Sequence, residues 1–198
     1  MELRELKKEV ESLGHVGKQA DRLEEHWLMP LQSGQKSAPI LSNLSEPLKK
    51  QVEDKVEQIK GQLDLIRSSQ VISEKLQHYA RCLVELKLND FRGDSTKSTI
   101  ITKRLLNDDF FSLSTTIGQI EQLNEDVDKL GAYYQEINDL LHKELSLEEA
   151  VFYMELPHRK YLANLQQTAQ KHAVIVRDLG HHFVSLASKN PLPKEARK

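Results

Sequence analysis

Apolar residues recur along this chain at steps of three and four with charged residues between them, the spacing that lays one apolar stripe along an α-helix. The first run covers about residues 2–31. Leu3, Leu6, Val10, Leu13, Ala20, Trp27 and Leu31 share the stripe, and Glu5, Lys7, Lys8, Glu9 and Glu11 lie outside it. Gly14 and Gly17 interrupt the run, and each costs about 1 kcal/mol relative to Ala inside a helix, so a kink or break is expected midway.

Gln32-Ser33-Gly34-Gln35-Lys36-Ser37, followed by Pro39, predicts a flexible linker over 32–44. Ser45 then stands where its side chain would accept a bond from a free amide of the next helix. Glu46 complements the helix dipole, and Pro47 occupies a position where its missing N–H is harmless. The second helix is expected to run from Ser45 to about Leu88. Its stripe reads Leu48, Val52, Val56, Ile59, Leu63 and Ile66, then resumes one position out of phase as Ile72, Leu76, Tyr79, Leu83 and Leu86. The slip falls at Ser68-Ser69-Gln70, and slips of this kind rewind a coiled coil locally. Unbroken, such a helix would be roughly 65 Å long.

Asn89-Asp90-Phe91-Arg92-Gly93-Asp94-Ser95 reads as a reversal, and Asn107-Asp108-Asp109 as the cap of a further helix. The most regular signal follows. Leu113, Ile120, Val127, Tyr134 and Leu141 repeat every seven residues, with Leu123, Leu130 and Ile137 in the alternate seam position; Thr116 and Glu144 interrupt the pattern. This is a coiled-coil seam of about four heptads. A last helix starts at Ser146-Leu147-Glu148-Glu149, where Ser and a Glu three residues on form a capping box. Val151, Met154, Tyr161, Leu165, Ile175, Leu179 and Leu186, flanked by Leu162, Ala169, Val176 and Phe183, make a face broad enough for more than one neighbour. Pro157 is expected to kink or break it, and 189–198 to be a disordered tail.

Composition agrees with long helices. Of 198 residues, 29% are charged and 6% aromatic, with 8 Gly and 6 Pro, too few turn formers for a many-stranded fold. The expected fold is all-α: an elongated antiparallel bundle or coiled coil of three to four long helices, with residues 1–31 an N-terminal amphipathic helix and 45–188 the bundle proper. A net charge of −2 lacks the basic excess of a nucleic-acid binder or an anionic-membrane helix. The same balance argues against a curved membrane-binding dimer. No stretch approaches the roughly 18 unbroken apolar residues of a membrane span. The single Cys82 and the charged opening Met1-Glu2-Leu3-Arg4-Glu5 predict a cytoplasmic or nuclear protein that is not secreted.

Candidate chemistry is sparse. Glu155 with His158, and Asp139 with His142, have the acid-x-x-His spacing of di-iron helical bundles, which makes a metal-binding or hydrolytic bundle the alternative reading. A di-iron site also needs two further inward Glu residues, which the seams do not supply. Glu121, Glu125, Asp126 and Asp128 could hold Mg²⁺ as in all-helical pyrophosphohydrolases, but charges beside a heptad seam usually form its solvated flank. His158, His172 and His182 share one register on the last helix; a buried imidazole would couple packing to pH, but the expected role is to border the apolar stripe and hydrogen-bond at its rim. Cys82, near His78 and Arg81, reads as inert packing. Arg92-Gly93-Asp94 spells an integrin-binding tripeptide and reads as a plain turn; the hydroxyls from Ser95 to Thr99 are possible phosphorylation sites.

Phosphate loops, nucleophile elbows and paired-Cys motifs are absent from the sequence. The expected function is therefore that of a non-catalytic structural or adaptor subunit in a cytoskeletal, kinetochore or trafficking assembly. Coiled-coil association would run through Leu3, Leu6, Val10, Leu13, Trp27, Leu31, Leu113, Ile120, Leu123, Val127, Leu130, Tyr134, Ile137 and Leu141. Partners would be other helical subunits or a second copy; no cofactor, nucleic acid or small-molecule ligand is expected.

Overall fold

The computed structural model describes residues 2–13, 15–31 and 43–189; the side chains at 30, 108–113, 151, 152 and 156 lie outside that description. The expected linker up to residue 42, and the expected tail from 190 on, also lie outside the described residues. Regular structure among the described residues is helical, and no strand occurs among them. No helix among them is long and apolar enough to cross a membrane.

The first run is two helices, α1 (Leu3–Glu11) and α2 (Val16–Leu23), and Gly17 lies within the first turn of α2. A π-helical turn (Glu24–Leu28) and a 3-10 turn (Met29–Leu31) extend α2. The second run is also two helices, α3 (Glu46–Ser68) and α4 (Gln70–Arg92), which part at Ser69, where the stripe changes phase. After α5 (Ser95–Arg104), Asn107-Asp108-Asp109 falls inside a π-helical turn (Leu105–Asp109) that leads into α6 (Phe110–Leu141), instead of capping a new helix. The capping box is present at α7 (Leu147–Pro157): Glu149 N donates to Ser146 Oγ at 3.3 Å, and Ser146 N to Glu149 Oε2 at 3.2 Å. Pro157 ends α7, and a π-helical turn (His158–Leu162) follows before α8 (Ala163–Lys189). A widened turn beside a proline accommodates the hydrogen bond its nitrogen cannot make.

The chain divides into two compact units. One comprises Gly14–Gln70 and Gln122–Gln170, and is called here the Trp27 unit; the other comprises Met1–Leu13, Val71–Glu121 and Lys171–Lys198, the Phe91 unit.

In the Trp27 unit, α2 and its π-helical turn pack on α3. Leu23, Trp27, Leu28, Val52, Ile59, Leu63, Leu130, Ile137 and Leu165 are buried, each large side chain contributing about 1.5–3 kcal/mol by leaving water. Three polar contacts run in opposite order along α3 and α6 and make these helices antiparallel. Ser45 N donates to Glu144 at 2.7 Å, Lys55 pairs with Glu136, and Gln62 Nε2 donates to the Asp126 carbonyl at 2.9 Å. Ser45 thus differs from the expected cap. Its hydroxyl bonds the Glu144 carboxylate and makes no cap bond to its own helix. At the other end of α3, Arg67 gathers Asp21 at 2.6 Å, Asp64 at 2.6 Å and Glu24. Partial burial opposes the Arg67 charge, yet the hydrogen bonds to the three carboxylates and the charge of Glu24 outweigh it and raise its pKa.

In the Phe91 unit, α1 buries Leu3, Leu6 and Val10, and α4 buries Ile72, Leu76, Tyr79, Leu83 and Leu86. From α8 come Ile175, Val176, Leu179 and Phe183, the last edge-on to Tyr79 at 6.2 Å. The turn after α4 uses Gly93 at φ +72°, a left-handed conformation that a side chain disfavours. Asp94 then caps α5 by accepting from Lys97 N at 3.1 Å. Arg92-Gly93-Asp94 is accordingly a helix-linking turn whose aspartate is engaged locally.

Candidate functional site

Most of the described residues that the spacing marks for association are buried within the chain. In the Trp27 unit, Trp27, Leu31, Leu123, Val127, Leu130, Ile137 and Leu141 are buried. Tyr134 is half-buried; its hydroxyl donates to the Met154 carbonyl at 2.6 Å, and its ring lies 5.4 Å from Trp27 and 4.8 Å from His158. Burial, reinforced by the charge of Glu155, pushes the Tyr134 phenol up to about 12. In the Phe91 unit, Leu3, Leu6, Val10, Leu13 and Ile120 are buried, while the side chain of Leu113 lies outside the described residues.

The acid and histidine pairs have other engagements. Glu155 is ion-paired with Arg159, and His158 is exposed and stacked on Tyr134. Asp139 accepts from Gln135 at 3.0 Å, and His142 is exposed beyond the end of α6. Asp126 is buried and accepts from Gln122 at 3.1 Å. Among the described residues no three His, Cys, Asp or Glu side chains form a metal-sized group. The three register-related histidines have different surroundings: His158 is exposed, His182 is half-buried, and His172 is fully buried and bonded to Ser73 at 2.6 Å. Cys82 is buried, with Sγ 3.7 Å from His78 Nε2.

Two features of the Phe91 unit are left without a structural explanation. The first is apolar surface: Phe91 is 91% exposed, Val184 65% and Ile100 62%, accompanied by Leu88 and Val174. These side chains occupy positions off the inward stripes of α4, α5 and α8. Their sequence signal was apolar character out of phase with the stripe.

The second is a cavity of about 860 Å³, within the range of small-molecule sites. Its apolar wall is formed by Leu3, Leu83, Leu86, Leu106 and Leu186. Lys87 of α4, Lys103 of α5 and Lys189 of α8 are among its lining residues, and Asp90 is the acidic residue among the described lining. Among the described residues none of the three lysines is ion-paired. Ser98, a further lining residue, is 9% exposed, and its hydroxyl lacks a hydrogen-bond partner. Spacing could not reveal this cavity, because its walls come from four separated stretches of chain.

Comparison of the chain with protein-family models, curated proteins and solved structures finds no significant match.

Proposed function

We propose that this chain is a non-catalytic helical adaptor that associates with other helical subunits, or with a second copy, through the outer apolar positions of the Phe91 unit. The carrying observation is that Ile120, Leu123, Val127, Leu130, Ile137 and Leu141 of the heptad seam are buried while Phe91, Ile100 and Val184 stand in water. Covering each such side chain is worth about 1.5–3 kcal/mol before the cost of association. The buried stripes of α4 and α8 supply rigid support for these outer positions. Cytoskeletal, kinetochore and trafficking assemblies are settings in which such an adaptor works.

Mass measurement of the purified chain in solution, combined with crosslinking in native extract, tests the reading. Association lost in Phe91→Asp/Ile100→Asp, with helicity unchanged, is the expected result. A chain that is monomeric when pure, and whose Phe91 face forms no crosslink to another protein in extract, overturns it.

A further inference from the structure

We infer that the cavity of the Phe91 unit is a binding site for a small anionic amphiphile, a molecule with an apolar chain and one carboxylate or phosphate head. Shape, charge and hydrogen bonding point to the same occupant. At about 860 Å³ the space suits a single small molecule, and its leucine wall suits a hydrocarbon chain better than a hydrated ion. The polar side of the lining carries the opposite message. A chain whose net charge is −2 brings Lys87, Lys103 and Lys189 to one cavity, where Asp90 is the acidic residue among the described lining. Like charges gathered from three helices repel one another, and an anion between them relieves the repulsion. Ser98 adds an independent observation. A buried hydroxyl without a partner is costly; Ser98 Oγ is closed to water at the cavity wall, and a turn of this side chain toward a ligand oxygen would satisfy it. His182 and the Thr99 and Thr102 side chains contribute further polar lining.

The apolar wall separates this occupant from free phosphate, and the ammonium groups separate it from a neutral lipid. Carboxylate and phosphate heads share the required chemistry, one anion able to accept from lysine and serine donors.

Calorimetric titration of the full chain with decanoate and with decyl phosphate, both below their micelle concentrations, tests the inference. Decanol and inorganic phosphate provide the head-free and chain-free comparisons. The expected result is saturation at one molecule per chain by at least one anionic amphiphile, with decanol and inorganic phosphate each about tenfold weaker or worse. The tighter of the two heads identifies the natural one. Lys87→Gln/Lys103→Gln/Lys189→Gln changes only exposed side chains and should keep the thermal midpoint. It should weaken the amphiphile about tenfold, the combined effect of a few partly exposed ion pairs. Ser98→Ala should weaken binding about fivefold through the lost hydrogen bond. The inference is overturned if neither amphiphile saturates, if decanol or inorganic phosphate binds as tightly as the amphiphile, or if the triple-lysine variant binds like the wild type.

Discussion

Ser73 Oγ of α4 lies 2.6 Å from His172 Nε2 of α8, and both residues are buried in the Phe91 unit. The hydrogen bond lets an imidazole occupy a helix seam between apolar layers, because a buried ring nitrogen without a partner would carry its full desolvation cost. Ser73→Ala removes that partner and should destabilise the chain by about 1–3 kcal/mol. Urea unfolding followed by circular dichroism measures the loss. A midpoint equal to wild type would mean that the bond contributes nothing.

Arg67 secures the α2 side of the Trp27 unit to α3 through Asp21 and Glu24, while Asp64 holds its remaining nitrogen. A guanidinium serves three carboxylates with fixed donors; a lysine ammonium is a single point. Arg67→Ala should cost about 1–2 kcal/mol, as expected for a partly buried charge network, and Arg67→Lys should recover less than half of it. Thermal unfolding of both variants decides this, and full recovery by lysine would refute the geometric argument.

Leu130 is fully buried on the seam of α6, next to exposed Lys129. Truncating a core leucine to alanine costs about 2–5 kcal/mol, and a carboxylate there costs more. Leu130→Asp should abolish folding, whereas Lys129→Asp should leave the unfolding midpoint within the scatter of surface substitutions. Similar losses at both positions would show that the register is wrong.

Tyr134 makes the fold sensitive to alkali. Its phenol rises from 10.0 to about 12 through burial and then the Glu155 charge, so the folded chain holds this proton more tightly than the unfolded one. A raised value gives a contribution that is intact below pH 10.0 and lost as pH climbs through about 12. Tyrosinate absorbance and helicity should change together in that window, and Tyr134→Phe should remove this part of the alkaline loss. An unchanged alkaline profile in the variant would contradict the assignment.

Glu144 has the opposite sign. The hydroxyl of Ser45, then its backbone N–H, hold the Glu144 carboxyl below its usual value of 4.5. Its contribution is therefore present above that value and disappears as pH falls through the lowered one. Ser45→Ala should return the Glu144 titration toward the ordinary carboxylate range, observable by carbon-detected NMR. No movement would mean that the serine hydroxyl is not the cause.

Helix positions were legible because an α-helix is built from contacts three and four residues apart, so its buried stripe is written locally. The breaks near Gly14 and at Ser69, the Ser146 capping box, and the inward stripe from Leu123 to Leu141 all follow from that short range. Long-range choices were not legible in the same way. Ser45 stands at the N-cap of its own helix, yet its hydroxyl meets Glu144, 99 residues away. Local spacing gives three histidines one register, and tertiary packing buries only His172. The lysine-lined cavity depends on Leu3, Lys87, Lys103 and Lys189 converging from separate helices. No local period encodes such convergence, because the free energy that selects it comes from burying distant faces against one another. Periodicity therefore specified that these segments are helices and which side turns inward; packing chose each polar group's partner and what remained exposed to bind something else.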